Sequence, residues 1–201
     1  MTITKIEAQI KQKGRYSIFI DDAFAFGLSE LGLINSGLRL NQELSSRELA
    51  TFKEEAKTDK IYNQTLGLIA RRPRSEWEVR DYLKRKATDP EAADAIINRL
   101  NGRGYIDDQD FAQRWVESRR LRGPISKRKL EIELRTKRIH DSVIKAVLNH
   151  DESDEYDVLL LEIKKKRRQP RYQDDKRLMQ YLARQGYSYD DIKRGLASDT
   201  R

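Results

Sequence analysis

Apolar residues alternate with polar ones from the start of the chain. Ile6, Ala8 and Ile10 share one period, Tyr16, Ile18 and Ile20 another, and Phe24 and Phe26 continue it. Lys13-Gly14 and Asp21-Asp22 break the alternation with turn-forming residues, which predicts a small three-stranded meander over residues 3–28. The period then changes. Ser45 and Glu48 make the Ser-x-x-Glu pattern of a capping box, opening a short helix that carries Leu49 and Phe52. From Asp59 the spacing becomes helical, and three helices are predicted near 60–71 (Ile61, Leu66, Ile69), 76–86 and 90–101 (Ala93, Ile96, Ile97). Asp89-Pro90 suits the start of the third, where proline loses no helical hydrogen bond, and Gly102 or Gly104 ends it.

The stretch Arg71 to Leu83 recurs. Moving 51 residues along superposes Pro73 on Pro124, Ser75 on Ser126, Val79 on Leu130 and Leu83 on Leu134. A further 48 puts Ser126 on Asp174, Leu130 on Leu178 and Leu134 on Leu182. Ser75, Ser126 and Asp174 can each accept a free N–H of a first helical turn, and Ser75 with Glu78 repeats the capping-box pattern. Each apolar pair is spaced by four and so lies on one helix face. The second copy opens at Tyr105-Ile106-Asp107-Asp108, followed by Phe111, Trp115 and Val116; the third opens near Asp154 with Tyr156, Leu159, Leu160 and Ile163. The third-helix stripe recurs as Ile144, Val147 and Leu148, then as Ile192 and Leu196, with Gly195 a weaker match. The fold expected is mainly α: an elongated tandem array of three three-helix repeats behind a small N-terminal β-meander and short helix. The expected boundaries are 1–58, 59–104, 105–151 and 152–201, with no linker rich in Pro, Gly or Ser between repeats.

Charged residues make up 37% of the 201 residues and hydrophobic residues another 37%, with a mean hydropathy of −0.85. That balance suits thin cores under solvated faces. The apolar runs fall far short of the roughly 20 residues of a membrane span, and the N-terminus lacks a signal-peptide apolar block, so a soluble, cytoplasmic protein is expected. There are no cysteines and only two histidines, which excludes disulfide and thiolate chemistry and leaves little for a metal site; no cofactor is expected. The net charge of +8 falls entirely in residues 59–201, because acids and bases balance before them. With a pI near 9.6, the repeats favour an anionic partner, nucleic acid first.

Few residues look catalytic. The adjacent pairs Asp21-Asp22 and Asp107-Asp108 are explained by turn formation and helix capping. Gly102-Arg103-Gly104 follows a helix and lacks the Gly-Lys-Ser/Thr ending of a phosphate-cradling loop. His140 and His150 have no metal or nucleophile spacing and suit surface or capping roles, while Trp77 and Trp115 suit core or half-buried packing better than base stacking. The basic clusters stand out instead. Arg71, Arg72 and Arg74 sit at the turn between the first two helices of repeat one. Arg119, Arg120, Arg122, Lys127, Arg128 and Lys129 occupy that turn in repeat two, and Lys164, Lys165, Lys166, Arg167, Arg168 and Arg171 occupy it in repeat three. Equivalent positions would align them as one binding stripe, with none of Arg71, Arg72, Arg120 and Arg122 expected in a core.

These motifs resemble the RecX family of bacterial regulators of the recombinase RecA. The resemblance rests on Arg72-Pro73-Arg74-Ser75-Glu76 leading to Leu83, on Gly104-Tyr105-Ile106-Asp107-Asp108-Gln109-Asp110-Phe111-Ala112, and on Arg122-Gly123-Pro124 leading to Leu134. It covers nearly the whole chain. Departures are Trp77, Ala87-Thr88 in place of a glycine-led turn, and Arg138 in place of a second such glycine. The resemblance implies a non-catalytic modulator that lies along the RecA filament on single-stranded DNA, and the protein is expected to be a monomer. It also implies suppression of ATP hydrolysis, strand exchange and the co-protease activity that induces the SOS response. It carries over no agreed site residues, so the basic turns remain the candidates for RecA or DNA contact. The alternative is a stand-alone DNA-binding protein that uses one three-helix unit as a helix-turn-helix reader, which needs base-contacting polar residues on one recognition helix.

Overall fold

The computed structural model describes residues 1–199; the third repeat, expected to end at 201, runs two residues past them. In chain order the elements are β1 (Ile3–Ala8), β2 (Arg15–Ile20), β3 (Ala23–Ser29), α1 (Glu30–Ser36), α2 (Ser46–Arg71), α3 (Glu76–Arg85) and α4 (Pro90–Gly102). Then follow α5 (Asp108–Arg122), α6 (Lys127–Thr136), α7 (Asp141–His150), α8 (Glu155–Arg167), α9 (Asp175–Gln185) and α10 (Tyr189–Asp199), with a 3-10 turn at Pro170–Tyr172. The chain is mainly helical, with a sheet at its N-terminus and three three-helix domains in tandem. It divides into two compact units. One comprises Met1–Pro73 with Val79–Ile106, and the other Arg74–Glu78 with the residues from Asp107 on.

In the first unit the three strands pair antiparallel in the order β1-β2-β3, as the alternation predicts. Asp21 and Asp22 both have positive φ, at 46° and 64°, which makes the tight turn between β2 and β3. Ile10, expected to extend β1, lies beyond it and is fully open to solvent. A register shift between Ile18 and Phe19 turns Phe24 outward while Phe26 stays buried, so the two phenylalanines do not share a face.

The helix opened by Ser45 is not short. Ser45 Oγ accepts from Glu48 N at 3.2 Å, the Glu48 carboxylate accepts from Ser45 N at 2.8 Å, and the helix continues for 26 residues. Residues 53–60 contain no glycine or proline to break it, so the helix expected to begin near residue 60 is its second half. Asp59, from which the helical spacing is read, lies inside α2 and accepts from Ser29 N at 2.8 Å and Ser29 Oγ at 2.6 Å. Ser29 in turn caps α1, a helix the sequence pattern does not reveal. One core gathers Ile3, Ile18, Phe26 and Leu28 on the sheet with Ala56 of α2; another gathers Tyr62, Val79, Leu83, Ile97 and Leu100.

In the second unit α5–α7 enclose Phe111, Leu130, Leu134 and Ile144, and α8–α10 enclose Leu159, Leu178, Leu182 and Ile192. Burying each of these leucines stabilises the fold by about 1.5–3 kcal/mol. Gly195 has a packing reason: a Cβ there would stand 2.8 Å from Ile163 Cδ1, so α10 approaches α8 closely only with glycine. Fully buried Ser126 accepts from Lys129 N at 3.0 Å and donates to the Gln185 carbonyl at the end of α9. Ser75 repeats this, donating to the Lys137 carbonyl at 3.1 Å at the end of α6. Backbone donors at the same helix starts are accepted by carboxylates, Glu76 N by Asp108 at 2.8 Å and Lys127 N by Glu155 at 3.1 Å. Ala87, Arg138 and Gly186 follow α3, α6 and α9 with φ of 51°, 58° and 97°, so the left-handed turn persists where glycine is absent.

Candidate nucleic-acid interface

Asp107 accepts from Gln109 N and Asp110 N as the cap of α5. His140 caps α7, accepting from Ser142 N, and His150 Nδ1 lies 2.7 Å from the Ala146 carbonyl. Trp115 is half-buried, stacked on Phe111 at 5.9 Å and donating to Glu133 at 3.0 Å. Trp77 departs from the packing expected of it, since 42% of it is exposed. Among the described residues no grouping of His, Asp or Glu is placed to hold a metal ion, and no helix is long and apolar enough to cross a membrane. The bases are the chemistry that remains.

The structure sorts them into two kinds. Several are part of the framework. Arg119 grips Glu133 with two hydrogen bonds of 2.9 Å. Arg120, expected outside any core, has a side chain only 15% exposed; it pairs with the more deeply buried Asp151 at 2.5 Å and donates to the Ile125 carbonyl. Burial alone would raise the Asp151 carboxyl, but hydrogen bonds from Arg120 and Ser153 prevail and hold it below the ordinary carboxylate range. Lys127 Nζ donates to the Asp151 carbonyl at 2.9 Å. Arg167 bridges Asp175, Asp199 and the Gln173 carbonyl. Lys166 stands 4.6 Å from the Tyr181 ring centre and 3.9 Å from Glu162.

The others face outward. Arg71 and Arg72 are exposed at the end of α2, with Arg72 donating to the Pro73 carbonyl at 2.9 Å. Arg74 is half-buried before α3. Arg122, Arg128, Lys164, Lys165, Arg168 and Arg171 are exposed in the second unit. Two of the three basic turns meet there: Arg119, Arg122 and Lys129 from repeat two and Lys165 and Lys166 from repeat three line one cleft of about 220 Å³. Glu162, Tyr181, Gln185 and Tyr187 complete its lining. Arg122, Lys129 and Lys165 have no carboxylate partner among the described residues, so five cations face one carboxylate. The sequence reading missed Tyr187 and Glu162. The available signal was the repeat itself, which places Tyr187 where Ile139 stands one copy earlier.

Comparison with known proteins matches successive parts of the chain. Residues 1–45 match the regulatory protein RecX N-terminal domain, and residues 62–100, 107–148 and 153–196 match the first, second and third RecX three-helix domains. The regulatory protein RecX of Bacillus subtilis is 32% identical over 94% of this chain and 74% of its own length. That of Listeria welshimeri is 35% identical over 77% of this chain and 57% of its own length, so the chain spans somewhat over half to three quarters of these relatives. A crystal structure of regulatory protein RecX superposes with a TM-score of 0.76 at 28% identity, covering 96% of this chain and 97% of that one. The RecX structure from Lactobacillus salivarius shares the fold at 22% identity, with a TM-score of 0.61 over 70% of this chain and 95% of its own. With a sheet module followed by three three-helix domains, each matching its own family description in order, this chain belongs to the RecX family of regulatory proteins.

Proposed function

We propose that this protein is a non-catalytic modulator of the RecA recombinase. It binds RecA filaments on single-stranded DNA and lowers their ATPase, recombinase and co-protease activities, restraining homologous recombination and the SOS response in DNA repair. It works in the cytoplasm, as a monomer and without a cofactor. Membership of the RecX family carries this reading. The confinement of the net charge to the helical repeats supports it, because an anionic filament is then met by the repeats rather than by the neutral N-terminal module. The exposed bases, Arg71, Arg72 and Arg122 foremost, are the proposed contacts with RecA or DNA. Arg120 and Arg167, engaged in internal ion pairs, are assigned to the framework instead.

Co-sedimentation tests the reading. The protein should pellet with RecA filaments on single-stranded DNA, and reversal of Arg71, Arg72 and Arg122 to glutamate should weaken that without loss of helicity. Sequence-selective binding to a short duplex in the absence of RecA would instead favour the helix-turn-helix alternative.

A further inference from the structure

The cleft beside α6 differs from its counterpart one repeat earlier in three places. Three residues after Ser75, Glu78 pairs with Lys137 at 3.0 Å. Three residues after Ser126 the position holds Lys129, and Gln185 replaces the lysine. An ion pair in one copy is therefore a lysine facing a neutral amide in the other. The second difference is at the floor. Ile139 is buried hydrocarbon, whereas Tyr187, equally buried, brings a hydroxyl with no protein hydrogen-bond partner. Packing does not require that hydroxyl, since isoleucine fills the equivalent space, and an orphaned buried polar group is costly because it has given up its hydrogen bonds to water. The third is Gly123, where a Cβ would stand 3.2 Å from the Lys165 ammonium; glycine lets that ammonium close over the backbone beside Arg122.

Three cations without carboxylate partners and one buried hydroxyl are all donors, and they converge on a small polar cleft. Such a set matches an anion with several acceptor oxygens. Burial, followed by the nearby carboxylates of Glu155 and Glu162, pushes the Tyr187 hydroxyl well above the ordinary tyrosine value, which keeps it a donor at neutral pH. The one carboxylate in the cleft, Glu162, accepts from Tyr181 at 2.7 Å and lies beside Lys166 through Oε1, while its buried Oε2 has no partner; no ion pair joins it to the other three cations.

We propose that this cleft is a phosphate site in which Arg122, Lys129 and Lys165 hold a backbone phosphodiester of single-stranded DNA and Tyr187 donates to one of its oxygens. The inference rests on the reading of the protein as one that works on a DNA-bound filament, and it names where the strand would be touched. The same oxyanion is offered by free nucleotides, so the test separates the two sources.

The test is fluorescence anisotropy of a labelled oligothymidine with the full-length protein over a range of salt concentrations. The combined variant R122A/K129A/K165A should shallow the log–log salt slope by roughly 0.7, the contribution of one phosphate contact on a single strand. Tyr187→Phe should weaken binding roughly fivefold, one hydrogen bond, with the slope unchanged. ATP and inorganic phosphate at matched ionic strength should not displace the strand. A triple variant with the wild-type slope, or Tyr187→Phe with wild-type affinity, overturns the site; displacement by ATP assigns the cleft to a free nucleotide and overturns the strand. Loss of these effects while RecA ATPase is still inhibited defeats only this inference, whereas intact cleft binding with no effect on RecA defeats the functional reading and leaves the site.

Discussion

Arg120 lies against Asp151 with its guanidinium mostly shielded, while Arg122, one half-turn on, faces solvent. Removing the first leaves a carboxylate only 7% exposed without its partner, a change that costs about 3–5 kcal/mol in buried pairs. Urea unfolding should therefore show Arg120→Ala strongly destabilised and Arg122→Ala within about 0.5 kcal/mol of wild type. A run of arginines in a sequence carries no mark of which members are inside, because the partner of Arg120 lies 31 residues away. Glu155 gives a pH signature. Burial outweighs the hydrogen bond from Lys127 and raises this carboxyl above its ordinary 4.5. The folded state then binds the proton more tightly than the unfolded state, so this contribution to stability grows as pH falls from neutrality toward 4.5 and is lost as pH rises. Glu155→Gln, whose amide oxygen can still accept from Lys127 N, should remove that gain. A variant with the wild-type pH dependence between those limits would contradict the assignment.

Among the elements, the second helix of each three-helix group starts on a side-chain oxygen, but the starts are not equivalent. Ser126 both caps α6 and donates to the end of α9, whereas Asp174 accepts from Arg177 N at 2.9 Å and, as a carboxylate, has no proton to give. Loss of a cap alone costs about 1 kcal/mol, and loss of a cap plus a buried tie adds about 1–3 kcal/mol. Ser126→Ala should accordingly lower stability more than Asp174→Ala in chemical denaturation; equal costs would mean that the tie to Gln185 contributes nothing. Most elements were legible in the sequence because capping residues and apolar spacing are local signals. The meander, the ends of α3 and α4 and the buried pairs Leu130–Leu134 and Leu178–Leu182 follow from them directly. What stayed hidden depended on distant partners. The carboxylate of Asp59 is taken by Ser29, 30 residues earlier, and the register shift that exposes Phe24 is set by pairing across strands. The candidate site was half legible: the basic turns could be read, but not which bases ion pairs would consume or that Tyr187 would floor a cleft.

At the scale of the whole molecule, sequence, fold and comparison converge on the RecX family of regulatory proteins. The helical repeats carry all the excess positive charge, and the N-terminal module is neutral. In the proposed mode of action one bound molecule affects many neighbouring subunits, so few copies would suffice. The most direct measurement is RecA ATP hydrolysis on single-stranded DNA while this protein is titrated in. Inhibition complete at well below one copy per RecA subunit is the predicted result. Unchanged hydrolysis up to equimolar protein, alongside salt-sensitive binding to bare DNA, would contradict the filament-modulator account and leave a DNA-binding protein in its place.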